Sequence, residues 1–291
     1  MLSILIPVYN YNVAPLVKEL QEQCLAIKDF EFEILVMDDG SNEPIAEHEQ
    51  LSSLSFCTYL PLDINIGRSA VRNALAKKAR YPNLLFLDAD VLPKDVHFIR
   101  RYLALGNNLK NDVYFGGYSY TDRSLDHTNS LRYFYGKARE EQPSAVRNLN
   151  PFAFAFSGNF LIDKECFLAL QIPDENVYGM DVYFAYLLQK NNCNVRHIDN
   201  EIMHLGIESN ELFLRKSLVS AVYRKENWVN IPEIVEVNKL LRWYKKLNVP
   251  FVNKLMKGCF LITNQPLKSL FLKPKPYLWA FDLYRLLYLF K

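Results

Sequence analysis

The 291-residue sequence predicts an α/β protein, a doubly wound, mainly parallel sheet followed by a helical C-terminal extension. Three observations carry this. Short apolar runs alternate with segments of helical period through the first 117 residues. The first run is apolar throughout, as a parallel strand covered by helices on both faces should be. Several runs also stop at Asp, Asn or Gly, residues that turn a chain.

Taken in order, Leu2–Val8 reads as the first strand, and 13–27 carries apolar side chains at helical spacing (Leu16, Val17, Leu20, Cys24, Ile27). Residues 32–37 form the second strand, ending at Asp38-Asp39-Gly40-Ser41; 43–54 is a short helix and 56–60 the third strand. Residues 67–79 form an alanine-rich helix, and 84–87 is the fourth strand, ending at Asp88-Ala89-Asp90. Pro93 is expected to open a helix running to about residue 105, since proline fits a first helical turn; 113–115 is the fifth strand. Residues 118–150 read as a long polar loop. Residues 152–162 are strand-like around Ser157-Gly158-Asn159, 180–190 is helical, and 195–198 is a short strand followed by Ile202-Met203-His204. From about residue 208 the pattern is helical to the end, with interruptions expected near Pro232, Pro250, Pro266, Pro274 and Pro276.

Half of the residues are apolar and the net charge is +2, which excludes a disordered chain and leaves material for a full core. Five scattered cysteines without a CxxC pair indicate neither a zinc cage nor a disulfide framework and suit a reducing, cytosolic compartment. The amino-terminal Met-Leu-Ser-Ile-Leu-Ile-Pro lacks a basic stretch and reads as a buried strand rather than a signal peptide. No apolar run reaches the roughly 18 residues that a transmembrane helix requires. The near-neutral total conceals an asymmetry. Residues 239–291 hold eleven Lys/Arg and one acid, Asp282, hence +10; the other 238 residues hold 23 basic and 31 acidic groups, hence −8.

In an open parallel sheet, ligands bind outside the carboxyl ends of the strands. Those ends here carry Pro7-Val8-Tyr9-Asn10, Asp38-Asp39 and Asp88-Ala89-Asp90, bringing four carboxylates and an aromatic ring to one edge. Carboxylates gathered so closely call for a cation, and Mg²⁺ or Mn²⁺ prefers oxygen ligands and phosphates. Asp88 and Asp90 are two apart and point the same way in extended chain. With a turn at Ala89, one reaches a metal directly and the other acts through water or a ribose. The turn after the first strand contains no glycine and there is no Walker A loop, so NAD, FAD and P-loop chemistry are not expected.

Ser-Ile-Leu-Ile-Pro-Val-Tyr-Asn at 3–10, Val-Met-Asp-Asp-Gly-Ser at 36–41, Asn-Ile-Gly-Arg-Ser-Ala-Val-Arg-Asn at 65–73 and Leu-Asp-Ala-Asp at 87–90 resemble, in order and spacing, the family 2 glycosyltransferases of GT-A fold. The resemblance implies a GT-A sheet and an inverting, metal-dependent enzyme with a nucleotide-sugar donor. It places Tyr9 against the donor base, with Pro7 and Ala89 lining the donor site. Asp39, or in its stead Asp38, accepts a hydrogen bond from the base; the N3–H of uracil suits a carboxylate, so UDP is the expected nucleotide. Arg72 pairs with base, ribose or diphosphate oxygens. Asp90 is the metal-binding acid, and Asp88 contacts ribose or metal. His204 is either a further metal ligand, Mn²⁺ or Mg²⁺ being the expected ion, or a histidine satisfied in the core.

In such enzymes the general base is usually an Asp of a Glu-Asp pair at a helix start. Tyr178-Gly179-Met180-Asp181 stands in that position, with Met180 where Glu is usual. Asp181 is therefore the expected base toward the acceptor hydroxyl; its plain alternative is an acid favoured at a helix N-terminus. Ser157, Gly158, Asn159 and Met180 are expected around the acceptor. The competing class is a noncatalytic nucleotide-sugar or glycan-binding protein in which Met180 marks a decayed acceptor site. Within 118–150, Tyr118, Tyr120, Arg123, Arg132, Tyr133, Tyr135 and Arg139 suit sugars and phosphates, or belong to an ordinary surface insertion. The implied organisation is a glycosyltransferase domain over 1–207, divided into a nucleotide-sugar half (1–117) and an acceptor half (118–207), and an extension over 208–291.

Residues 239–291 also hold eleven aromatics, Trp243 and Trp279 among them, interleaved with Lys and Arg. That mixture suits helices lying on an anionic membrane surface, or helices packed on the body. The expected acceptor is a saccharide or lipid-linked saccharide met at the cytoplasmic face of the cell membrane; nucleic acid is not an expected partner. Lys239-Leu240-Leu241-Arg242-Trp243 has the Arg-Trp but not the Gln of the Gln-x-x-Arg-Trp carried by membrane-spanning polysaccharide synthases. Transfer of single sugars is expected.

Overall fold

A computed structural model describes residues 1–43, 45–106, 109–122 and 125–291, with residue 49 described by its backbone only; Arg123 lies outside the described residues. The chain begins with β1 (Leu2–Val8), α1 (Ala14–Leu25), β2 (Phe32–Asp38), α2 (Ala46–Glu49), β3 (Cys57–Pro61), α3 (Arg68–Lys78) and β4 (Asn83–Leu87). It continues through β5 (Val91–Pro93), α4 (Phe98–Leu103), β6 (Asp112–Phe115), β7 (Tyr118–Tyr120), α5 (Ser130–Arg139), α6 (Ser144–Arg147), β8 (Asn159–Asp163), α7 (Lys164–Ala169) and α8 (Asp181–Lys190). It ends with β9 (Asn194–His197), β10 (Ile202–His204), α9 (Asn210–Trp228), α10 (Pro232–Val237), α11 (Lys239–Leu247), α12 (Pro250–Phe271) and α13 (Leu278–Tyr288). Two compact units emerge. Unit 1 comprises Met1–Ser119, Gln142–Asn176 and Leu187–Gly206; unit 2 comprises Tyr120–Glu141, Val177–Tyr186 and Ile207–Lys291.

Unit 1 is built on a seven-stranded sheet of order β3-β2-β1-β4-β8-β6-β9. β1 runs parallel to β2 and β4, with Ile4 opposite Ile34 and Leu85. Every residue of β2 and β4 is buried, which is why their sequences are mostly apolar, with Glu33, Asp38 and Asn83 as buried polar exceptions. Phe86 of β4 faces Phe160 of β8 in register, and their rings stack at 4.8 Å. Fully buried aromatics of this kind contribute about 1.5–3 kcal/mol each. The sheet is mixed rather than wholly parallel, because β8 runs antiparallel to both β4 and β6.

Three local expectations are corrected. Pro93 opens no helix. It ends β5, an edge strand of the small sheet β5-β10-β7, where a residue without an N–H is tolerated; the helix starts at Phe98. The stretch 118–150 is not one loop, since it contains β7, α5 and α6. The buried face of α5 consists of Ser130, Leu131, Arg132, Tyr133 and Gly136, so a search for apolar periodicity passes over it. In 152–162 a 3₁₀ turn over Pro151–Phe154 comes first, and the strand begins only at Asn159.

Unit 2 is helical, with one core formed by Leu131, Phe213, Phe260, Leu267, Phe271, Phe281 and Tyr284. Trp228, Ile234, Val235 and Leu241 form a second. Pro266 lies inside α12 rather than breaking it; Phe260, Leu267 and Phe271, packed on either side, keep the helix continuous. α5 is anchored by Arg132. Its guanidinium donates to the Tyr120 hydroxyl at 2.9 Å and to Glu140 at 3.0 Å, and lies 5.3 Å from the Tyr120 ring centre. Among the described residues, no helix is long and apolar enough to cross a membrane.

Candidate active site

The carboxyl edge of β1 and β2 separates two adjacent aspartates by what they hold. Asp38 takes the Ser41 N–H at 2.9 Å on one oxygen and the Tyr59 hydroxyl at 2.7 Å on the other, with His48 Nδ1 at 3.6 Å. Its carboxylate closes the turn after β2. Asp39 accepts from the N–H of Ile66 at 2.7 Å and of Gly67 at 3.1 Å, fixing the corner that leads into α3. Burial pushes the Asp39 carboxyl up against those two backbone donors, and the Asp38 charge adds to the rise. Gly67 holds a left-handed φ of 94°, and Gly40 a φ of 66°. A Cβ on Gly40 would stand 2.6 Å from the Ile64 carbonyl carbon. Tyr9 lies exposed at the end of β1, its hydroxyl 3.5 Å from Asn42 Oδ1. Pro7, within β1, is partly exposed.

α3 carries Arg72 to the end of β4. The buried guanidinium donates to Asp88 Oδ1 at 2.5 Å and to the Ser157 carbonyl at 3.3 Å. Burial alone would raise the Asp88 carboxyl, but the charges of Arg72, Arg68 and His204, with the Arg72 hydrogen bond, outweigh it and hold Asp88 below the usual carboxylate range. Gly158 lies against the other Asp88 oxygen: a Cβ there would stand 2.3 Å from Asp88 Oδ2 and 2.0 Å from the Tyr118 hydroxyl. Gly158 is thus required by close packing under Asp88.

Asn159, expected at the acceptor, serves the fold instead. It is 1% exposed, accepts from the Tyr102 hydroxyl at 2.6 Å and donates to the carbonyls of Gly117 and Asn200 at 2.9 Å each. Arg147, also 1% exposed, plays a similar part by donating to the carbonyls of Gln142, Phe115 and Ile198.

After β4, the chain passes through partly exposed Ala89 to Asp90. β10 returns antiparallel to β5 with His204 opposite Val91, which sets His204 Nε2 3.7 Å from Asp90 Oδ2. Two residues missed in the sequence frame this pair. Gly206 leaves room for Asp90, since a Cβ there would stand 2.1 Å from Asp90 Oδ2. Burial, and secondarily the Asp90 charge, raise the Tyr11 hydroxyl above its usual range, so Tyr11 also faces this edge. Neither carries a signal in a single sequence.

Two atoms bound to one ion at about 2.1 Å each lie up to about 4.2 Å apart. The Asp90–His204 spacing fits that limit as a two-donor half-site. Among the described residues no group of three or more His, Cys, Asp or Glu side chains is arranged to hold a metal ion. Asp88 is engaged by Arg72.

Asp181 and Met180 belong to unit 2. Asp181 is the first residue of α8, where a carboxylate is favoured by the helix dipole. Met180 packs against the cluster of Trp228, Ile234, Val235 and Leu241, which accounts for an apolar residue at that position. Gly179, with φ 92°, turns the chain into the helix.

The fold and the ordered carboxyl edge define an α/β transferase of GT-A type. A family model described as glycosyl transferase family 2 matches residues 3–167. The chain belongs to this family and is a glycosyltransferase. Several solved structures share the fold. Staphylococcus aureus TarS in complex with UDP-GlcNAc is 16% identical, with 92% of this chain and 75% of that chain covered and a TM-score of 0.52. The mannosyltransferase PcManGT from Pyrobaculum calidifontis, in complex with GDP-Man and Mn²⁺, is 14% identical over 99% and 85%, TM-score 0.56. Glucosyl-3-phosphoglycerate synthase from Mycobacterium tuberculosis, with Mn²⁺, UDP and glucosyl-3-phosphoglycerate, is 13% identical over 77% and 78%, TM-score 0.51. No curated protein matches the chain.

Proposed function

We propose that this enzyme moves one sugar at a time from a UDP-sugar to a saccharide or lipid-linked saccharide acceptor, by a metal-assisted displacement that inverts the anomeric centre. The Asp90–His204 pair carries the reading. It adjoins Asp88, which Arg72 holds ionised, and α3 with its Asp39-bonded corner. Asp39 accepts from the backbone N–H groups of Ile66 and Gly67, which leaves lone pairs on its carboxylate for the uracil N3–H, whereas Asp38 is tied to the Ser41 N–H and the Tyr59 hydroxyl. Tyr9, exposed beside it, offers a ring to the base, and Pro7 and Ala89 line the same edge.

Asp90 and His204 would hold Mn²⁺ or Mg²⁺, and the imidazole in the donor set favours Mn²⁺. When bound, the ion supplies counter-charge to the departing diphosphate. Two protein donors plus substrate phosphates is a usual provision for such ions. The relatives with Mn²⁺ and with UDP or UDP-GlcNAc agree with this choice. Asp181 takes the proton of the acceptor hydroxyl as its oxygen bonds the anomeric carbon and the bond to the diphosphate breaks. Ser157, Gly158 and Met180 belong to the acceptor side in this reading.

The extension supports attachment to an anionic membrane. At about 100° per residue, Phe260, Leu267 and Phe271 fall on the inner face of α12. Phe251, Leu255 and Ile262 fall on the opposite face and are 81%, 54% and 79% exposed, with Leu261, 67% exposed, to one side of it. The helix is thus apolar on two faces, with exposed Lys254 and Lys257 beside the outer one.

UDP release from a panel of UDP-sugars with Mn²⁺ tests the assignment. Asp181→Ala should lower kcat by about 10²–10⁴-fold, the usual contribution of a general base, while leaving UDP binding intact. A wild-type enzyme that binds UDP but releases none with any donor and acceptor would instead favour a binding role.

A further inference from the structure

Unit 2 holds a cationic cluster in which, among the described residues, guanidiniums outnumber the carboxylates they meet. Arg224 of α9 and Arg285 of α13 both interact with Tyr135 of α5. Each has an Nε shut off from solvent and without a hydrogen-bond partner among the described residues. Ser220, one turn before Arg224 and 3% exposed, has a hydroxyl in the same condition. The hydrogen bond recorded for Arg224 is a long one, 3.3 Å to the Gly179 carbonyl. A Cβ on Gly179 would stand 2.3 Å from Arg224 Nη2 and 2.4 Å from Ser220 Oγ. The two donors therefore converge at the turn that leads into Asp181.

Charge adds a second, independent observation. Asp282 accepts from Arg285 at 2.5 Å and from Arg139 at 2.9 Å, and Asp181 faces Arg224. Three guanidiniums thus meet two carboxylates. The flanking ions are already balanced, Lys216 with Glu208 and Arg132 with Glu140. Burial, with the Arg285 charge, pulls Arg224 below its usual range despite Asp181. A buried cation with unfilled donors is costly until an anion fills them. Residues 178–181 and Arg224 are partly exposed.

We infer that Arg224, Arg285 and Ser220 form an anion subsite that receives a phosphodiester carried by the acceptor. The single uncompensated positive charge matches one diester charge. Donors arriving from two helices suit tetrahedral phosphate oxygens, and guanidinium forks bind them well. The inference rests on the reading of Asp181 as the base and names the chemistry of the acceptor beside it.

The test is titration of the full-length enzyme with dimethyl phosphate, under saturating UDP to fill the donor site, followed by ³¹P NMR and thermal shift. Arg224→Gln and Ser220→Ala should each weaken dimethyl phosphate binding, Arg224→Gln by about tenfold or more, the loss expected for a charge-assisted hydrogen bond. UDP binding should match wild type in both. Acetate should bind at least about tenfold more weakly than the diester, a difference of about 1.4 kcal/mol. Didodecyl phosphate vesicles form a second arm: tighter, Arg224-dependent binding there assigns the phosphate to a lipid-linked acceptor, and equal binding to one borne by the saccharide. Diester binding unchanged in both variants, no binding to wild type, or equal binding of acetate would each overturn the subsite. Failure of the donor reading would show separately, as no UDP binding by wild type.

Discussion

Gly206→Ala isolates the role of Asp90 with a single methyl group. The added carbon would stand 2.1 Å from Asp90 Oδ2, 2.8 Å from Cγ and 2.9 Å from Cβ, where ordinary contact begins at 3.4 Å. The carboxylate oxygen must therefore retreat by about 1.3 Å. Rotation of the side chain cannot relieve the Cβ contact, so the Asp90 backbone must shift as well. Gly206 has no left-handed φ, so alanine itself adds no backbone strain there. A displacement of about 1 Å at a reacting centre costs on the order of 10²-fold in rate. Gly206→Ala should thus lower kcat/KM by about 10²-fold and raise the Mn²⁺ concentration needed for half-maximal rate, with UDP binding in the absence of metal unchanged. The assay is UDP release against Mn²⁺ concentration, with urea denaturation as a folding control. A folded variant with wild-type rate and wild-type Mn²⁺ response would refute the reasoning, because Asp90 would then have moved without consequence.

Asn159→Leu should cost about 2 kcal/mol or more in urea unfolding, since the Tyr102 hydroxyl proton and the Asn200 carbonyl lose their partner, while the Gly117 carbonyl keeps the Ile202 N–H, and unsatisfied buried groups cost about 1–3 kcal/mol each. A loss under about 1 kcal/mol would show water replacing the amide. Burial, with the Arg147 charge and against the Pro151 hydrogen bond, lowers His197 from 6.5 to about 4. The unfolded chain then binds the extra proton, so stability is full above pH 6.5 and falls toward pH 4 by about 1.4 kcal/mol per pH unit at most. His197→Gln should flatten that part of the profile, and a parallel profile would reassign the slope. Replacing Phe251, Leu255 and Ile262 together by Ser should abolish sedimentation with phosphatidylglycerol vesicles at little cost in stability, because all three are exposed; undiminished sedimentation would remove the outer face of α12 from membrane contact.

The legible part of the fold was the part governed by burial on both sides. β1, β2 and β4 are mostly apolar runs whose few buried polar side chains are bonded, Ser3 to Glu33 for one, and the carboxylates of Asp38, Asp39, Asp88 and Asp90 stand where those runs stop. α5 escaped because its buried positions include Arg132, held by a network with the Tyr120 hydroxyl and the Glu140 carboxylate rather than by apolar contact. β5 escaped because three residues show no period and Pro93 argues locally for a helix start. In the site, Asp39, Arg72, Asp88 and Asp90 were legible as strand-end and helix residues. Asn159 shares a motif with residues expected at the acceptor, yet its amide is consumed by backbone carbonyls, a distinction that lies in tertiary contacts and not in spacing.

The near-neutral total charge now divides differently from the simple split between body and tail. Within the basic extension, Arg285 is paired with Asp282, while Lys268 and Lys273 lie over Tyr284 and Tyr277. The first pair is already cancelled within the +10, Lys268 is half-buried, and Lys273 stays exposed. Lys254 and Lys257, exposed beside the outer apolar face of α12, are placed to meet a headgroup layer. Arg224, which lies outside the basic extension, belongs to the proposed anion subsite. A membrane contact that also buries the apolar stripe of α12 should lose only part of its strength at high salt, where screening shortens to about 3 Å at 1 M. A phosphate subsite closed from water should lose less still. Salt titration of vesicle binding and of dimethyl phosphate binding, measured on the same preparation, therefore separates the two uses of positive charge.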